Sequence, residues 1–180
     1  MSVARHQGVV RAFALLGSLF LMSCLVTNKI EPVVEANLPP SIVSAPDAEF
    51  PLNEIIRLNR DDVAGELELA VIIRDANVDQ TLQIQVFVDY VDNPLTALVP
   101  QPPDNEVAGT GTFERSVTIR IPVDRLGDPG RCHRVELDVS TEFERFQREP
   151  VESGDSHTAT WWVSLTDSEF PSVDMGTCPQ

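Results

Sequence analysis

Basic residues are scarce in this 180-residue chain: 13 Lys and Arg stand against 28 Asp and Glu, a formal net charge of −15. An acidic excess of that size repels phosphate backbones and anionic headgroups, which excludes nucleic acid as a partner for the surface. Cations, basic ligands or plain solubility beside a membrane fit it better. Histidine is scarcer still, with three in all. His133 and His157 are the two outside the N-terminal segment. Neither is framed by a Gly-x-Ser-x-Gly elbow, a zinc motif or paired carboxylates at recognisable spacing. A hydrolase built on them with Ser140 or Ser156 therefore has no motif behind it, catalysis is not expected, and the two read as solvated loop or strand-end histidines. The apolar run at residues 12–22 falls well short of the ~20 residues that span a bilayer as a helix. Helical periodicity is nearly absent, and only residues 141–148 predict a turn or two.

What is present begins at the N-terminus. Arg5 and Arg11 lead into the apolar run, and no Asp or Glu precedes Glu31. A basic start, a short apolar stretch and a small residue at the cut are the layout of a secretory signal peptide. The stretch closes on Leu21-Met22-Ser23-Cys24, which resembles the lipobox of bacterial lipoproteins. That resemblance implies cleavage after Ser23 and lipid on Cys24. Several acyl chains then hold the protein on the membrane, each buried methylene contributing about 0.8 kcal/mol. Leu25, rather than Asp, after the cysteine implies the outer membrane. An ordinary secretory signal cut nearby and an uncleaved anchor are the alternatives. The expected organisation is a signal peptide over 1–23, a lipidated tether over 24–40 and a folded domain over 41–180. The signal holds two basic and no acidic residues, so eleven basic residues then face twenty-eight acidic ones, a charge of −17. Asn37-Leu38-Pro39-Pro40 reads as the stiff end of the tether, with proline favouring an extended spacer.

Beyond it the apolar residues recur with period two, the mark of half-buried strands. Leu67, Leu69, Val71 and Ile73 form one such row; Leu82, Ile84, Val86, Val88 and Tyr90 form the next. Val117, Ile119 and Ile121 follow, then Val135, Leu137 and Val139, then Ala159, Trp161, Val163 and Leu165. Shorter strands are expected at 42–45 and 54–58. About seven strands with a single apolar face pack best as two facing sheets. The expected fold class is all-β, an immunoglobulin-like antiparallel two-sheet sandwich, with a closed barrel as the alternative. Residues 91–111, rich in Pro and Gly, read as a long irregular connection of the kind that often carries binding. With Cys24 assigned to lipid, Cys132 and Cys178 remain as an even pair in an oxidising compartment. Their disulfide would close a loop of about 47 residues and stabilise by about 4 kcal/mol.

Two features carry candidate ligand chemistry. Asp75-Ala76-Asn77-Val78-Asp79 spaces three oxygen side chains so that a tight loop can point them one way, as calcium loops do. The run resembles the Asp-rich turns of cadherin-like extracellular sandwich repeats, which implies calcium at Asp75, Asn77 and Asp79. It is not an EF-hand, because Gln80 stands where that loop needs glycine and Val86 where it needs glutamate. The competing reading is a turn capped by Asx-type hydrogen bonds. Adjacent Trp161 and Trp162 must point to opposite faces of a strand. One fills the core, and Trp162 is the one assigned outward, where it can stack on a sugar or a protein partner unless a loop shields it. The stretch Cys132-His133-Arg134-Val135-Glu136-Leu137-Asp138-Val139-Ser140 is similar to segments in envelope lipoproteins of predatory and myxobacterial-type bacteria, which brings no activity with it. The functional expectation is a lipid-anchored envelope lipoprotein that binds a protein or glycan partner or plays a structural part. A calcium-dependent adhesion or ligand-binding module is the alternative.

Overall fold

The period-two rows become strands in the computed structural model, which describes residues 37–63, 65–91, 97–101, 105–145 and 147–178. The signal peptide, Cys24 and the tether as far as residue 36 lie outside the described residues, as do 92–96 and 102–104 of the long connection. The strands are β1 (Ser41–Ser44), β2 (Ile55–Asn59), β3 (Glu66–Arg74), β4 (Leu82–Val88), β5 (Leu98–Val99), β6 (Glu106–Val107), β7 (Glu114–Pro122), β8 (Arg131–Ser140) and β9 (Ser156–Thr166). Single 3-10 turns sit at Val123–Leu126 and Met175–Thr177. Two-residue β5 and β6 are the strands described within the 91–111 connection. Residues 141–148 were expected as a helical turn; the described ones among them form no helix, and a bridge joins Phe143 to Pro150.

One sheet runs β1-β3-β7 and the other β2-β9-β8-β4-β5, with β6 also paired to β4. The body is therefore an all-β two-sheet sandwich. Every described pairing is antiparallel except β2 with β9, which run parallel from Ile55 opposite Trp162 to Asn59 opposite Thr166. A wholly antiparallel pattern was expected; the chain departs from it because β1 belongs to one sheet and β2 to the other. Residues 45–54 carry the chain across, so β2 reaches the β9 edge running in the same direction. The rows named above point inward, save Tyr90, which follows the φ = 50° of Asp89 and packs on the outer face against Phe87: Leu69, Ile73, Ile119 and Ile121 from one sheet meet Val86, Val135, Leu137, Trp161 and Val163 from the other, each fully buried. Trp161 satisfies its indole N–H with the Phe50 carbonyl at 3.3 Å, so the largest core side chain leaves no polar atom stranded.

The body starts slightly ahead of β1. Asn37 Nδ2 donates to Thr141 Oγ1 at 3.0 Å and to Glu152 Oε2 at 3.1 Å, and the Leu38 N–H donates to Asn77 Oδ1 at 3.2 Å. Pro40 is buried. The end of the predicted spacer is thus held against the sandwich. At the other terminus Cys132 and Cys178 are joined, 46 residues apart in sequence. The Cys132 N–H donates to Thr177 Oγ1 at 2.8 Å and the Asp174 N–H to the Gly130 carbonyl at 2.8 Å. Reduction, or a double Cys132→Ser and Cys178→Ser change, should lower stability by up to about 4 kcal/mol through the freed chain. Urea unfolding with and without reductant measures it; coincident curves would mean the crosslink constrains nothing.

Candidate functional site

The outer face of the larger sheet is where side chains with chemistry gather. On β8 the outward positions are Arg134, Glu136, Asp138 and Ser140, and opposite them on β9 stand Trp162, Thr160, Thr158 and Ser156. Alternation predicts these to be solvated, yet Glu136, Asp138 and Ser140 are buried. Ser140 is covered on the side of Asp155, to which its Oγ donates at 3.3 Å; for the two carboxylates the cause is Arg148. The 141–150 loop folds back over the sheet and lays this guanidinium on both carboxylates, with Nε and Nη2 donating to Asp138 and Nη1 and Nη2 to Glu136 at 3.2 Å each. Its cationic carbon also lies 5.3 Å from the centre of the Phe87 ring and 5.1 Å from that of Tyr90, within cation–π range. Thr158 Oγ1 donates to Asp138 Oδ1 at 2.6 Å. Partial burial weakens the proton hold of Arg148; the hydrogen bonds and charges of Asp138 and Glu136 outweigh that and raise its pKa. Glu136 and Asp138 are therefore a paired structural layer rather than free acids.

Further along the same face the sheet is left open. Asp89, Tyr90, Arg131, Arg134 and Trp162 line a groove of about 580 Å³, together with Cys132, Val91 and Thr177. Trp162 is half-buried there, flanked in register by Arg134 on β8 and by the exposed Ile55 on β2. The ring is thus fixed on a rigid strand, between an apolar neighbour and a cation. Arg134 Nη2 donates to the Tyr90 carbonyl at 2.7 Å and pairs with Glu136 at 3.3 Å, which holds its guanidinium in place. Within a strongly acidic chain, Arg131 and Arg134 make this groove locally basic. A planar apolar face beside arginine and carboxylate donors and acceptors suits a sugar ring.

His133 adjoins the groove but is sealed from it, with no exposed surface. Its Nε2 faces the Asp128 carbonyl at 2.7 Å and its Nδ1 faces Asp89 Oδ2 at 2.6 Å. A carbonyl only accepts, so Nε2 carries a hydrogen there and neither ring nitrogen is left to serve a substrate. Expected as a solvated strand-end residue, His133 is instead a core fastener, against which Gly127 packs so closely that an added Cβ would come within 2.8 Å of the ring. Asp89 takes φ = 50°, a conformation open to Asp and Asn, and from it Oδ1 accepts the Arg134 N–H at 2.8 Å. His157 is exposed and its Nδ1 accepts the Ile42 N–H at 3.3 Å.

The Asp75 loop connects β3 to β4 across the sheets. Asp75 is buried and Oδ1 accepts the Asn77 N–H at 2.9 Å, an Asx turn. Its Oδ2 accepts from Arg115 Nη2 at 2.8 Å. The same guanidinium donates to the Gln80 carbonyl at 2.6 Å, to that of Asn77 at 3.1 Å and to that of Val78 at 3.3 Å. Arg115 therefore collects a carboxylate and loop carbonyls, the donor set a bound cation would use. Asn77 Oδ1 is occupied by Leu38, and Asp79 is exposed with its backbone packed against Gly109. Asp75 and Asn77 are thus brought together by protein donors, and Asp79 does not join them. Among the described residues no group of three or more His, Cys, Asp or Glu side chains is placed to hold one metal ion, and no helix is long and apolar enough to cross a membrane. Sequence reasoning missed Arg115, whose signal was an arginine two residues before Val117 on the inward parity of its strand.

Comparison with known proteins finds no family model that matches the chain and no curated protein that matches it.

Partial burial raises the pKa of Asp89, and the hydrogen bonds from His133 and the Arg134 N–H, with the nearby charges of His133 and Arg131, outweigh it and set it below its ordinary 3.8. A carboxyl depressed on folding stabilises above its unfolded pKa and loses that contribution as pH falls through the lower folded value. Thermal melts below pH 4 should therefore decline more steeply for the native chain than for Asp89→Asn, which keeps the shape and tolerates the positive φ. Superimposable acid limbs would show that Asp89 contributes nothing.

Proposed function

We propose that this chain is a lipid-anchored lipoprotein of the bacterial outer membrane whose sandwich is a binding module, with the Trp162 groove as its ligand surface and a glycan as its ligand. The observation that carries the reading is the groove itself: an indole fixed on a central strand pair, left open to solvent and flanked by Arg131, Arg134 and Asp89. Stacking on the indole supplies the apolar contact, and the arginines and carboxylate supply the polar ones that orient a sugar. Binding is favoured over catalysis because the histidine beside the groove has both ring nitrogens occupied within the core.

The lipobox at Leu21-Met22-Ser23-Cys24 supports the anchor, and Leu25 the outer-membrane address. The strand order supports an immunoglobulin-like topology: β3 and β7 lie in one sheet and β4, β8 and β9 in the other, with the first strand divided between them. Calcium-dependent adhesion is the other reading of the Asp75 to Asp79 spacing; the occupation of Asp75 by Arg115 counts against it.

Cys24→Ser should move the protein from the membrane fraction to the soluble fraction; a processed variant still fixed to membranes overturns the anchor. Binding to an array of bacterial cell-wall and capsular glycans should be seen for the native chain and fall about tenfold or more in Trp162→Ala, the scale of losing one buried aromatic contact. A folded Trp162→Ala that binds the same glycans equally overturns the groove.

A further inference from the structure

The Trp162 groove has a neighbour on the same face. On the β2 side of the indole, a cleft of about 470 Å³ is lined by Glu54, Ile55, Arg57, Ser164 and Thr166 and bounded by residues 171–173 of the C-terminal segment. Burial alternates along both strands: Ile56, Leu58, Val163 and Leu165 are buried, so Ile55, Arg57, Ser164 and Thr166 share the outer row with Trp162. Two register pairs join the hollows. Trp162 in the groove stands opposite Ile55 in the cleft, and Cys132 in the groove stands opposite Ser164 in the cleft. Ile55 is 39% exposed, so the crossing beside the indole is open to solvent.

The cleft is furnished much as the groove is. Arg57 is exposed, and its guanidinium has no hydrogen-bond or ion-pair partner among the described residues. Thr166 Oγ1 donates to the Leu58 carbonyl at 3.3 Å and so keeps its capacity to accept. The Ser164 hydroxyl can donate or accept, Glu54 adds an acceptor, and Ile55 supplies an apolar surface beside them. Donors, acceptors and an apolar surface set side by side are what a sugar ring uses. From Arg134 on β8 through Trp162 on β9 to Ile55 on β2 the register runs straight across two strand spacings, about 10 Å. β2 ends its sheet, so a ligand leaving the indole in that direction meets no further strand. We propose that the cleft is a second sugar subsite and that the ligand is a linear glycan chain lying across the strands, with Trp162 under its middle. This rests on the glycan reading of the Trp162 groove, and it makes the recognised unit an internal stretch of chain rather than a single terminal sugar.

The test is calorimetric titration of the full chain in detergent with ladders of chitin, cellulose, β-1,3-glucan and polymannuronate oligomers, from monosaccharide to hexasaccharide. In a ladder that binds, affinity should rise about tenfold or more from the disaccharide to the longest member, the gain of engaging a second subsite through one ligand. Arg57→Ala, a change at an exposed side chain, should bring the ratio of long-chain to short-chain affinity close to one. Trp162→Ala should weaken every length. Equal affinity at all lengths, or a length gain that Arg57→Ala leaves whole, overturns the second subsite while the Trp162 groove stands. Ladders that fail to bind when other glycans of the array do bind also overturn it. Silence from ladders and array together overturns the groove reading beneath it as well.

Discussion

Arg115 and Asp75 form an ion pair almost wholly out of water, their side chains 2% and 1% exposed, at the end of the sandwich where β3 hands the chain to β4. Desolvating two charges is expensive, and such a pair holds only when the remaining donors and acceptors are satisfied as well. Here the loop backbone does that: the Asn77, Val78 and Gln80 carbonyls turn inward to the guanidinium. The shape of residues 75–80 is consequently dictated by a charge from the far edge of the same sheet. Asn77 is then placed to receive the Leu38 N–H. Arg115 also sits on β7, an edge strand, and an inward-pointing charge there discourages pairing with another chain.

The larger sheet uses a second arginine differently. Arg148 arrives from a loop and converts a row of carboxylates that alternation would leave in water into a covered layer. Phe87, fully buried on this outer face, is sheltered by the same guanidinium and by Tyr90, whose ring centre lies 5.3 Å away. The middle of β8 is thereby enclosed on both faces, one apolar and one ionic. Among the described residues of this face, the Trp162 end stays open as a groove.

The sandwich was legible because it rests on a local signal. Leu67 to Ile73 and Ala159 to Leu165 alternate so regularly that their inward parity, and that of Trp161, follows from counting in twos. The Cys132–Cys178 link followed from parity of another kind, an even pair left after one cysteine is assigned. What was not legible depends on distant partners. Asp138 looks outward and solvated until Arg148 is brought back over it, and Asp75 looks like a calcium ligand until Arg115, forty positions on, is found against it. His133 stands two residues before Val135 on the inward parity of its strand, opposite Val163; what lay out of sight were the partners of its ring nitrogens, Asp89 and Asp128. The parallel placement of β2 was hidden for a similar reason, since nothing in Ile55 to Asn59 records which sheet it joins.

That parallel pair has a mechanical consequence. In antiparallel neighbours tugged from one end, hydrogen bonds open one after another, like a zip. β2 and β9 run the same way over five aligned residue pairs. A force entering β2 from its N-terminal end, opposed by a grip on the C-terminal end of β9, loads those bonds together in shear. Trp162 stands opposite Ile55, at the end of the ladder where such a force enters β2, so a load meets the seam in shear only if it is carried past Trp162 to Thr166.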